Sequence, residues 1–379
     1  PLAPSHQLAR PAHGDPTGPL PGTAPGAAAS RLAELLRHTH LLPSERHERI
    51  RNIVASPLAG LDGLGHGTLL PRLRALDALL CAEEWTAALS GRFLFALDDG
   101  RGDVAGLGGD VTLLAQERDT VAVRVGESAV EVAASDAPRA ALEAARAFLA
   151  TAAAAGTGAW RVRDLPPGHT VDLTTALAQA NIPAAPTSVT PPPTPTPVST
   201  PVSPPAPAPG YVAGPDGTYT VVVTPVLGRV TAAQLRALAG PGGEVRVTPW
   251  RGFVVPGFDE RGARERLREL GDAGFVTAPD APWAGVGACT GRPGCAKALA
   301  DVRRDALSGA GGLPVHWSGC ERRCGHPHGD WVDVTATADG VYTLAVRGAR
   351  ERQVPLEEGG LAQAVAAARR APQAPPRTI

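Results

Sequence analysis

The chain has 379 residues, of which 43% are hydrophobic and 4% are aromatic. This length predicts two or three domains, and the apolar content is sufficient for packed cores. The formal net charge of −1, with both signs spread along the chain, argues against a protein that binds nucleic acid or a membrane surface. No apolar run reaches the roughly 18–20 residues of a membrane-spanning helix. The N-terminus has no basic-then-apolar signal pattern, so the sequence predicts a cytoplasmic protein.

Two segments of low complexity divide the chain. Residues 1–29 are rich in Pro, Gly and Ala, and they are predicted to be a disordered leader. Residues 183–210 are rich in proline and are predicted to be an extended linker of the polyproline type. The ordered parts are therefore expected at residues 30–182 and 211–372.

Three features occur in the same order in both halves. The first is an arginine- and leucine-rich helix that is followed by a turn containing Gly and Pro. The second is a strand, a turn and a strand, seen in GDVTLLAQERDTVAVRV and in WVDVTATADGVYTLAVRG. The third is an alanine-rich helix, seen in PRAALEAARAFLATAAA and in GLAQAVAAARRAP. Their common order predicts an internal duplication.

The second half contains an additional unit ahead of its repeat. A strand at 219–226, a helix from Thr231, a strand pair around GEVRVTPWRGFVVPG and a helix at 260–270 predict a ferredoxin-like half-domain over 211–280. The second repeat then covers 281–372. The predicted fold class is α+β, in which a pseudo-twofold duplication is combined with this half-domain.

Four of the five cysteines form the pattern C-x5-C-x24-C-x3-C: Cys289, Cys295, Cys320 and Cys324. A helix at 296–307 and a strand in LPVHW are predicted between the pairs, so each pair is expected on a turn. Four thiolates bind zinc or an iron–sulfur cluster. The five-residue gap is wider than structural zinc favours and favours a cubane cluster, with zinc and unliganded cysteines as the alternatives. Cys81 lies in an alanine- and leucine-rich helix and is predicted to be a small buried hydrophobe.

The cysteine segments ACTGRPGC and VHWSGCERRCGHP resemble the nitrite/sulfite reductase superfamily. The resemblance implies a [4Fe-4S] cluster at Cys289, Cys295, Cys320 and Cys324, beside a siroheme that the last cysteine bridges to the cluster. RNIVASPLAGLDG, at residues 51–63, is similar to the segment that binds the tetrapyrrole in that superfamily.

Within the superfamily, LLPSERHERIRNIVASPLAGLDG, GRFLFALDDGRGDV and TPWRGFVVP resemble the precorrin-3B synthase family, without the first of its ferredoxin-like halves. That resemblance implies an O2- and NADH-dependent monooxygenase of cobalamin biosynthesis. Such an enzyme hydroxylates precorrin-3A at C20 and closes a γ-lactone. It uses a [4Fe-4S] cluster and a mononuclear non-haem iron, and it has no siroheme. No G-x-G-x-x-G joins a strand to a helix, so NADH electrons are expected to arrive through a separate reductase.

The carboxylates of a tetrapyrrole suit arginine, whose guanidinium is permanently charged and bidentate. Arg51, Asn52 and Arg251 are the predicted substrate-binding residues, and a solvated surface charge is the alternative for each arginine. The mononuclear iron is assigned to His326 and His328. Both could instead be loop residues or hydrogen-bond partners of the cluster sulfurs.

Two other functions remain open. A siroheme-dependent nitrite or sulfite reductase is disfavoured because such enzymes use lysines at the anion site, and the only lysine, Lys297, follows a cysteine of the cluster motif. A non-catalytic iron–sulfur or tetrapyrrole-binding protein is the third possibility.

Overall fold

The computed structural model describes residues 2–3, 25–187, 206–309, 311–327, 329–348, 352–354 and 360–370. After strand β1 (Leu2–Ala3), the first repeat consists of α1 (Pro25–His38), β2 (Ile53–Ala55), α2 (Leu70–Ala82), β3 (Phe95–Asp98), β4 (Val111–Ala115), β5 (Thr120–Val125), β6 (Ser128–Ala133), α3 (Ala137–Ala154), α4 (Leu173–Gln179) and β7 (Ala185–Pro186). The predicted leader and linker fall mostly outside the described residues, and α1 begins before the predicted end of the leader.

The first repeat is a sheet with helices packed on one face. Its strand order is β2-β3-β4-β5-β6-β7, in which β2, β3 and β4 are parallel and the later pairs are antiparallel. Leu73, Leu76 and Leu80 of α2 lie at helical spacing on one side of the helix and are buried. They pack in the same core as Phe95 of the sheet and Phe148 of α3.

The half-domain contains β8 (Gly210–Ala213), β9 (Tyr219–Pro225), α5 (Ala232–Ala237), β10 (Val245–Val247), β11 (Phe253–Phe258), α6 (Glu260–Asp272) and β12 (Phe275–Val276). Its sheet has the order β1-β10-β11-β9-β12, and β8 pairs with β9. Thr231 and Gln234 form a capping box at the start of α5, and Asp259 caps α6. These caps explain why both helices begin where the sequence predicts.

The second repeat contains β13 (Val286–Ala288), α7 (Val302–Asp305), β14 (Val315–Ser318), β15 (Trp331–Ala338), β16 (Val341–Arg347), β17 (Arg352–Val354) and α8 (Gly360–Arg369). Its sheet order is β13-β14-β15-β16-β17, again with three parallel strands followed by antiparallel ones. The two repeats therefore share one topology, and the predicted α+β fold with a duplication is confirmed.

The helix predicted over 296–307 is wrong. Only α7 is helical, and Asp301 caps it by accepting a hydrogen bond from the Arg304 N–H. Ahead of Asp301, the Leu299 N–H donates to the Gly319 carbonyl at 2.7 Å. This segment is therefore bonded to the neighbouring turn and not to itself. Within the described residues, no helix combines the length and apolarity that crossing a membrane requires.

Candidate metal and anion site of the second repeat

The four cysteines of the motif lie on two turns at one edge of the second sheet. Cys289 directly follows β13, and Cys320 follows β14 by two residues. Because β13 and β14 are adjacent and parallel, their carboxyl ends meet at the same edge. The backbone therefore places both turns, which we call the cysteine turns (residues 289–299 and 319–325), next to each other.

Gly319 joins the cysteine turns. Its N–H donates to Cys289 Sγ at 3.2 Å, and its carbonyl accepts from the Leu299 N–H. A Cβ at position 319 would stand 2.7 Å from Ala298 Cβ, which is closer than side-chain atoms approach each other. Glycine at this position therefore allows the close approach of the two turns.

All four thiols are free, with Cys324 exposed and the other three half-buried. In the described part of the chain, no three of their sulfurs lie within 4.8 Å of one another. Tetrahedral zinc with bonds of about 2.3 Å brings its sulfurs to roughly 3.8 Å from each other. The turns are thus wider than one zinc ion requires. Four thiolates with an N–H donor beside them are a donor set that fits an iron–sulfur cubane.

His316 of β14 contacts the backbone of the second cysteine turn. Its Nε2 lies 3.0 Å from the Cys324 carbonyl oxygen, and its ring meets the Trp331 ring edge-on. Burial, followed by the charge of Arg251, lowers the pKa of His316 to about 4. The imidazole is therefore neutral near pH 7 and donates from Nε2 to the Cys324 carbonyl.

Arg251, a predicted substrate-binding residue, reaches from the half-domain to the second cysteine turn. Its Nη2 donates to the Gly325 carbonyl at 3.2 Å. A Cβ on Gly325 would overlap the guanidinium, and one on Gly228 would lie 2.9 Å from Arg251 Cδ. Arg251 has a φ of 62°, a left-handed conformation that non-glycine residues adopt mainly in constrained turns. Glycine at positions 228 and 325 and the left-handed backbone of Arg251 thus allow this side chain to reach the second cysteine turn.

Two further arginines lie close to Arg251. The Arg303 Nη1 donates to the Leu227 carbonyl at 3.0 Å. Burial, then the charges of Arg229 and Arg251, lower the pKa of Arg303, whereas Cys289 acts in the opposite direction. Within the described residues, none of these three guanidinium groups forms an ion pair with a carboxylate. Three guanidinium groups without a carboxylate partner in the described part of the chain, with Arg303 near Cys289, favour an anionic ligand.

Arg51 and Asn52, the other predicted substrate-binding residues, have partners inside the first repeat. The Arg51 guanidinium is buried and donates to both carboxylate oxygens of Asp77, at 2.7 and 2.8 Å. The Asn52 amide donates to the Gly91 carbonyl at 2.9 Å. These contacts connect the segment to α2 and to the turn before β3. A role in binding substrate remains a prediction for both residues.

The two histidines assigned to a mononuclear iron are placed only in part. The ring of His326 is exposed and stacks on Trp331, with centroids 5.1 Å apart and planes at 8°. Its Nδ1 lies 2.8 Å from the Pro327 carbonyl. His328 is outside the described residues. Their assignment to iron therefore remains a prediction.

Sequence reasoning did not identify Arg229, Arg303 or Ser318 as site residues. Arg229 lies far ahead of the cysteine motif in the sequence, and Arg303 lies between its two cysteine pairs. Only the packing of the half-domain against the second repeat brings these two arginines together. Ser318 was detectable, because it precedes Cys320 by two residues at the end of a predicted strand. Its side-chain oxygen is buried and has no hydrogen-bond partner.

Comparison with known proteins identifies one part of the chain and its overall fold. Residues 212–273 match the family described as the nitrite/sulfite reductase ferredoxin-like half domain. The NirA protein of Mycobacterium tuberculosis is similar in structure, with a TM-score of 0.53 and 17% sequence identity over 80% of this chain and 64% of that chain. Dissimilatory sulfite reductase I gives a TM-score of 0.26 and 16% identity over 32% of this chain and 34% of that one, which is too low to support an argument.

No curated protein matches the chain. The chain spans less than two thirds of the length of the NirA protein. At this identity the likeness establishes the fold and not the activity. Residues 212–273 therefore match the nitrite/sulfite reductase ferredoxin-like half domain, and the chain has a fold similar to that of the NirA protein.

Proposed function

We propose that the chain is an oxidoreductase of the nitrite/sulfite reductase superfamily that holds a [4Fe-4S] cluster and acts on an anionic tetrapyrrole. The observation that carries the proposal is the pairing of the cysteine turns through Gly319, which collects four free thiols at one sheet edge. Cys289, Cys295, Cys320 and Cys324 would hold the cluster. A cluster of this kind supplies single electrons to a neighbouring substrate.

The anionic substrate is assigned to the arginines beside the cysteine turns. Arg229, Arg251 and Arg303 present guanidinium groups without carboxylate partners in the described part of the chain, and carboxylates bind guanidinium through paired hydrogen bonds. Arg251 connects the half-domain to the Cys324 turn, so a bound carboxylate would lie near the cluster. Arg51 and Asn52 remain proposed contacts of the same substrate, but Arg51 would first have to leave Asp77.

Within the superfamily, we propose the precorrin-3B synthase reaction. Precorrin-3A, O2 and NADH with a proton would yield hydroxylated, lactonised precorrin-3B, NAD+ and water. One oxygen atom enters the macrocycle and the other is reduced to water by the two electrons of NADH, which a separate reductase would deliver. The support is the resemblance of several segments of the chain to that family, together with an anion site built of arginine and not lysine.

A siroheme-dependent nitrite or sulfite reductase is the second candidate. The match of residues 212–273 to the half domain and the NirA-like fold favour it. In that case the four cysteines would hold the same cluster beside a siroheme, and the arginines would bind the carboxylates of the siroheme.

The absorption spectrum of the anaerobically purified chain separates the two candidates. A broad shoulder near 400 nm, with iron and acid-labile sulfide, is expected for a lone cluster, whereas sharp Soret and long-wavelength bands would establish siroheme. Turnover of precorrin-3A with O2 and an electron donor then tests the oxygenase. A chain that binds the tetrapyrrole, contains the cluster and turns over no substrate would be a carrier and would contradict both enzymes.

A further inference from the structure

Ser318 is the last residue of β14 in the second repeat, and its hydroxyl lies in an unusual environment. The residue is completely buried, and its Oγ has no hydrogen-bond partner among the described residues. Buried hydroxyl groups are almost always hydrogen-bonded, because leaving one unpaired costs free energy. The orphaned Oγ is therefore available as a donor to a group bound at the cysteine turns.

The position of Ser318 is at the base of both cysteine turns. In the sheet it is paired with Thr335 of β15, and on the other side the Cys289 N–H bonds to the carbonyl of the preceding residue, Trp317, at 2.9 Å. The following residue, Gly319, donates to Cys289 Sγ. The hydroxyl is thus one residue from the contact that joins the turns.

The first repeat has a charged residue at the same position. Phe95 of β3 pairs with Ile53 and Val111, as Val315 of β14 pairs with Val286 and Val332, so Asp98 is the counterpart of Ser318. The buried Asp98 carboxylate accepts four backbone N–H groups of the loop that follows, at 2.8–3.1 Å: Gly100, Gly102, Val104 and Ala105.

The corresponding loop of the second repeat, residues 320–325, has no such acceptor. A neutral hydroxyl replaces the carboxylate, and within the described residues no carboxylate accepts the backbone N–H groups of this loop. The first repeat thus has a negatively charged side chain, Asp98, at this position, whereas the second has the neutral Ser318. A thiolate-bound iron–sulfur cluster would bring to the second loop the negative charge that Asp98 supplies in the first.

We propose that the Ser318 hydroxyl donates a hydrogen bond to a sulfur of the iron–sulfur group held by the cysteine turns, and that it thereby raises the reduction potential of that group. The inference rests on the proposed function, since it requires the cluster. A hydrogen bond to a cluster sulfur stabilises the more negative, reduced state, so it shifts the potential upward.

Three substitutions at one position test the inference in the reconstituted full chain. Ser318→Ala should keep the iron and sulfide content of the wild type but weaken the preference for the reduced state about tenfold, which is about 59 mV for a one-electron couple. Ser318→Thr should restore the wild-type potential. Ser318→Asp should lower the iron content sharply, because it introduces the carboxylate that closes the loop in the first repeat. Thr335→Val is the matched control, since its hydroxyl already donates to Asp333 at 2.7 Å.

The measurements are iron and sulfide content and a redox titration followed by electron paramagnetic resonance. An unchanged potential in Ser318→Ala, or full iron content in Ser318→Asp, would overturn the inference while leaving the proposed function intact. A Thr335→Val potential that falls as far as that of Ser318→Ala would also overturn it. A reconstituted wild-type chain without iron would overturn the proposed function and this inference together.

Discussion

In the first repeat Ser56 stands where the second repeat has Cys289, since each follows its first strand by the same register. The two side chains accept equivalent hydrogen bonds. The Asp99 N–H donates to Ser56 Oγ at 3.2 Å, and the Gly319 N–H donates to Cys289 Sγ at 3.2 Å. The contact between the turns is therefore a property of the repeat and does not depend on sulfur.

What differs is the source of negative charge. Counting from Ser56 and Cys289, the position of Cys295 is taken in the first repeat by Asp62. Arg101 donates to both Asp62 and Asp99, and these bonds raise its pKa although burial would lower it. The first repeat is thus closed by its own ion pairs, whereas the second presents thiols and leaves a buried hydroxyl unpaired. Side chains complete this loop scaffold in the first repeat, and under the proposed function a bound group completes it in the second.

Replacing single cysteines should affect iron and sulfide content far more than changes at the equivalent positions of the first repeat. Cys289→Ser, Cys295→Ser, Cys320→Ser and Cys324→Ser should each remove most of the bound iron and sulfide, because each deletes one thiolate ligand. Ser56→Ala, at the equivalent position of the first repeat, should leave both unchanged. Cys81→Ser should do the same, since Cys81 lies in α2 of the first repeat. Iron loss in Ser56→Ala or Cys81→Ser, measured by metal and sulfide analysis, would contradict the ligand assignment.

Arg51→Ala should destabilise the first repeat by about 3–5 kcal/mol, because it leaves the mostly buried Asp77 carboxylate without its partner. The measurement is the free energy of unfolding from urea titrations. Arg51→Met combined with Asp77→Leu is the control, and it should recover most of the loss because no charge remains unpaired. If Arg51→Ala weakens tetrapyrrole binding without changing stability, the residue binds substrate and the ion pair is dispensable.

The sequence predicted those features that local rules determine. Thr231 and Asp259 are residue types that favour helix N-caps, and both cap a helix in the structure. The succession of strands and helices along each repeat was predicted because both halves show the same sequence pattern. The segment before Asp301 was missed because its backbone bonds to Gly319, which is distant in sequence. The partner of Arg51 was missed for the same reason: Asp77 lies on a helix that only the packed fold brings near. The cysteine motif could be predicted from residue spacing, whereas the arginines beside the cysteine turns could not, because tertiary packing places them there.

Asp103 should make the stability of the first repeat depend on pH. Burial raises its pKa to about 6, the charge of Asp98 adds to this, and the hydrogen bond from Ser56 opposes it. An unfolded aspartate has a pKa of about 3.9, so the protonated form is favoured by folding. This stabilisation is complete below about pH 4 and is lost as the pH rises through about 6, with an upper bound of about 3 kcal/mol.

Asp103→Asn is the variant that checks this dependence. It should show a smaller decrease in the free energy of unfolding between pH 4 and pH 7 than the wild type, as measured by urea titration at each pH. Asp172→Asn, at an exposed helix cap, serves as the control for a carboxylate whose pKa is lowered by Thr175. An equal pH dependence in the wild type and Asp103→Asn would show that Asp103 titrates as an ordinary aspartate.

Smaller effects are expected from two arginines of the half-domain, Arg246 and Arg251, each of which donates hydrogen bonds to one of the repeats. Arg246 donates to the Pro57 and Ala59 carbonyls, both at 2.9 Å, and is mostly buried. Arg251 is exposed, and among the described residues its guanidinium donates one hydrogen bond, to the Gly325 carbonyl. Arg246→Met should cost about 1.5–3 kcal/mol of unfolding free energy, as is usual for hydrogen bonds to a charged group, and Arg251→Met less than about 1 kcal/mol.

The two variants should have the opposite order in ligand binding. Arg251 lies beside the cysteine turns with other unpaired arginines, so Arg251→Met should weaken binding of a carboxylate-bearing tetrapyrrole by about tenfold or more. Arg246→Met should leave that affinity nearly unchanged, because its guanidinium is already committed to Glu244 and two carbonyls. Fluorescence titration with the tetrapyrrole, alongside urea unfolding, measures both quantities. If Arg246→Met lost more affinity than Arg251→Met, the anion site would lie against the first repeat and not the second.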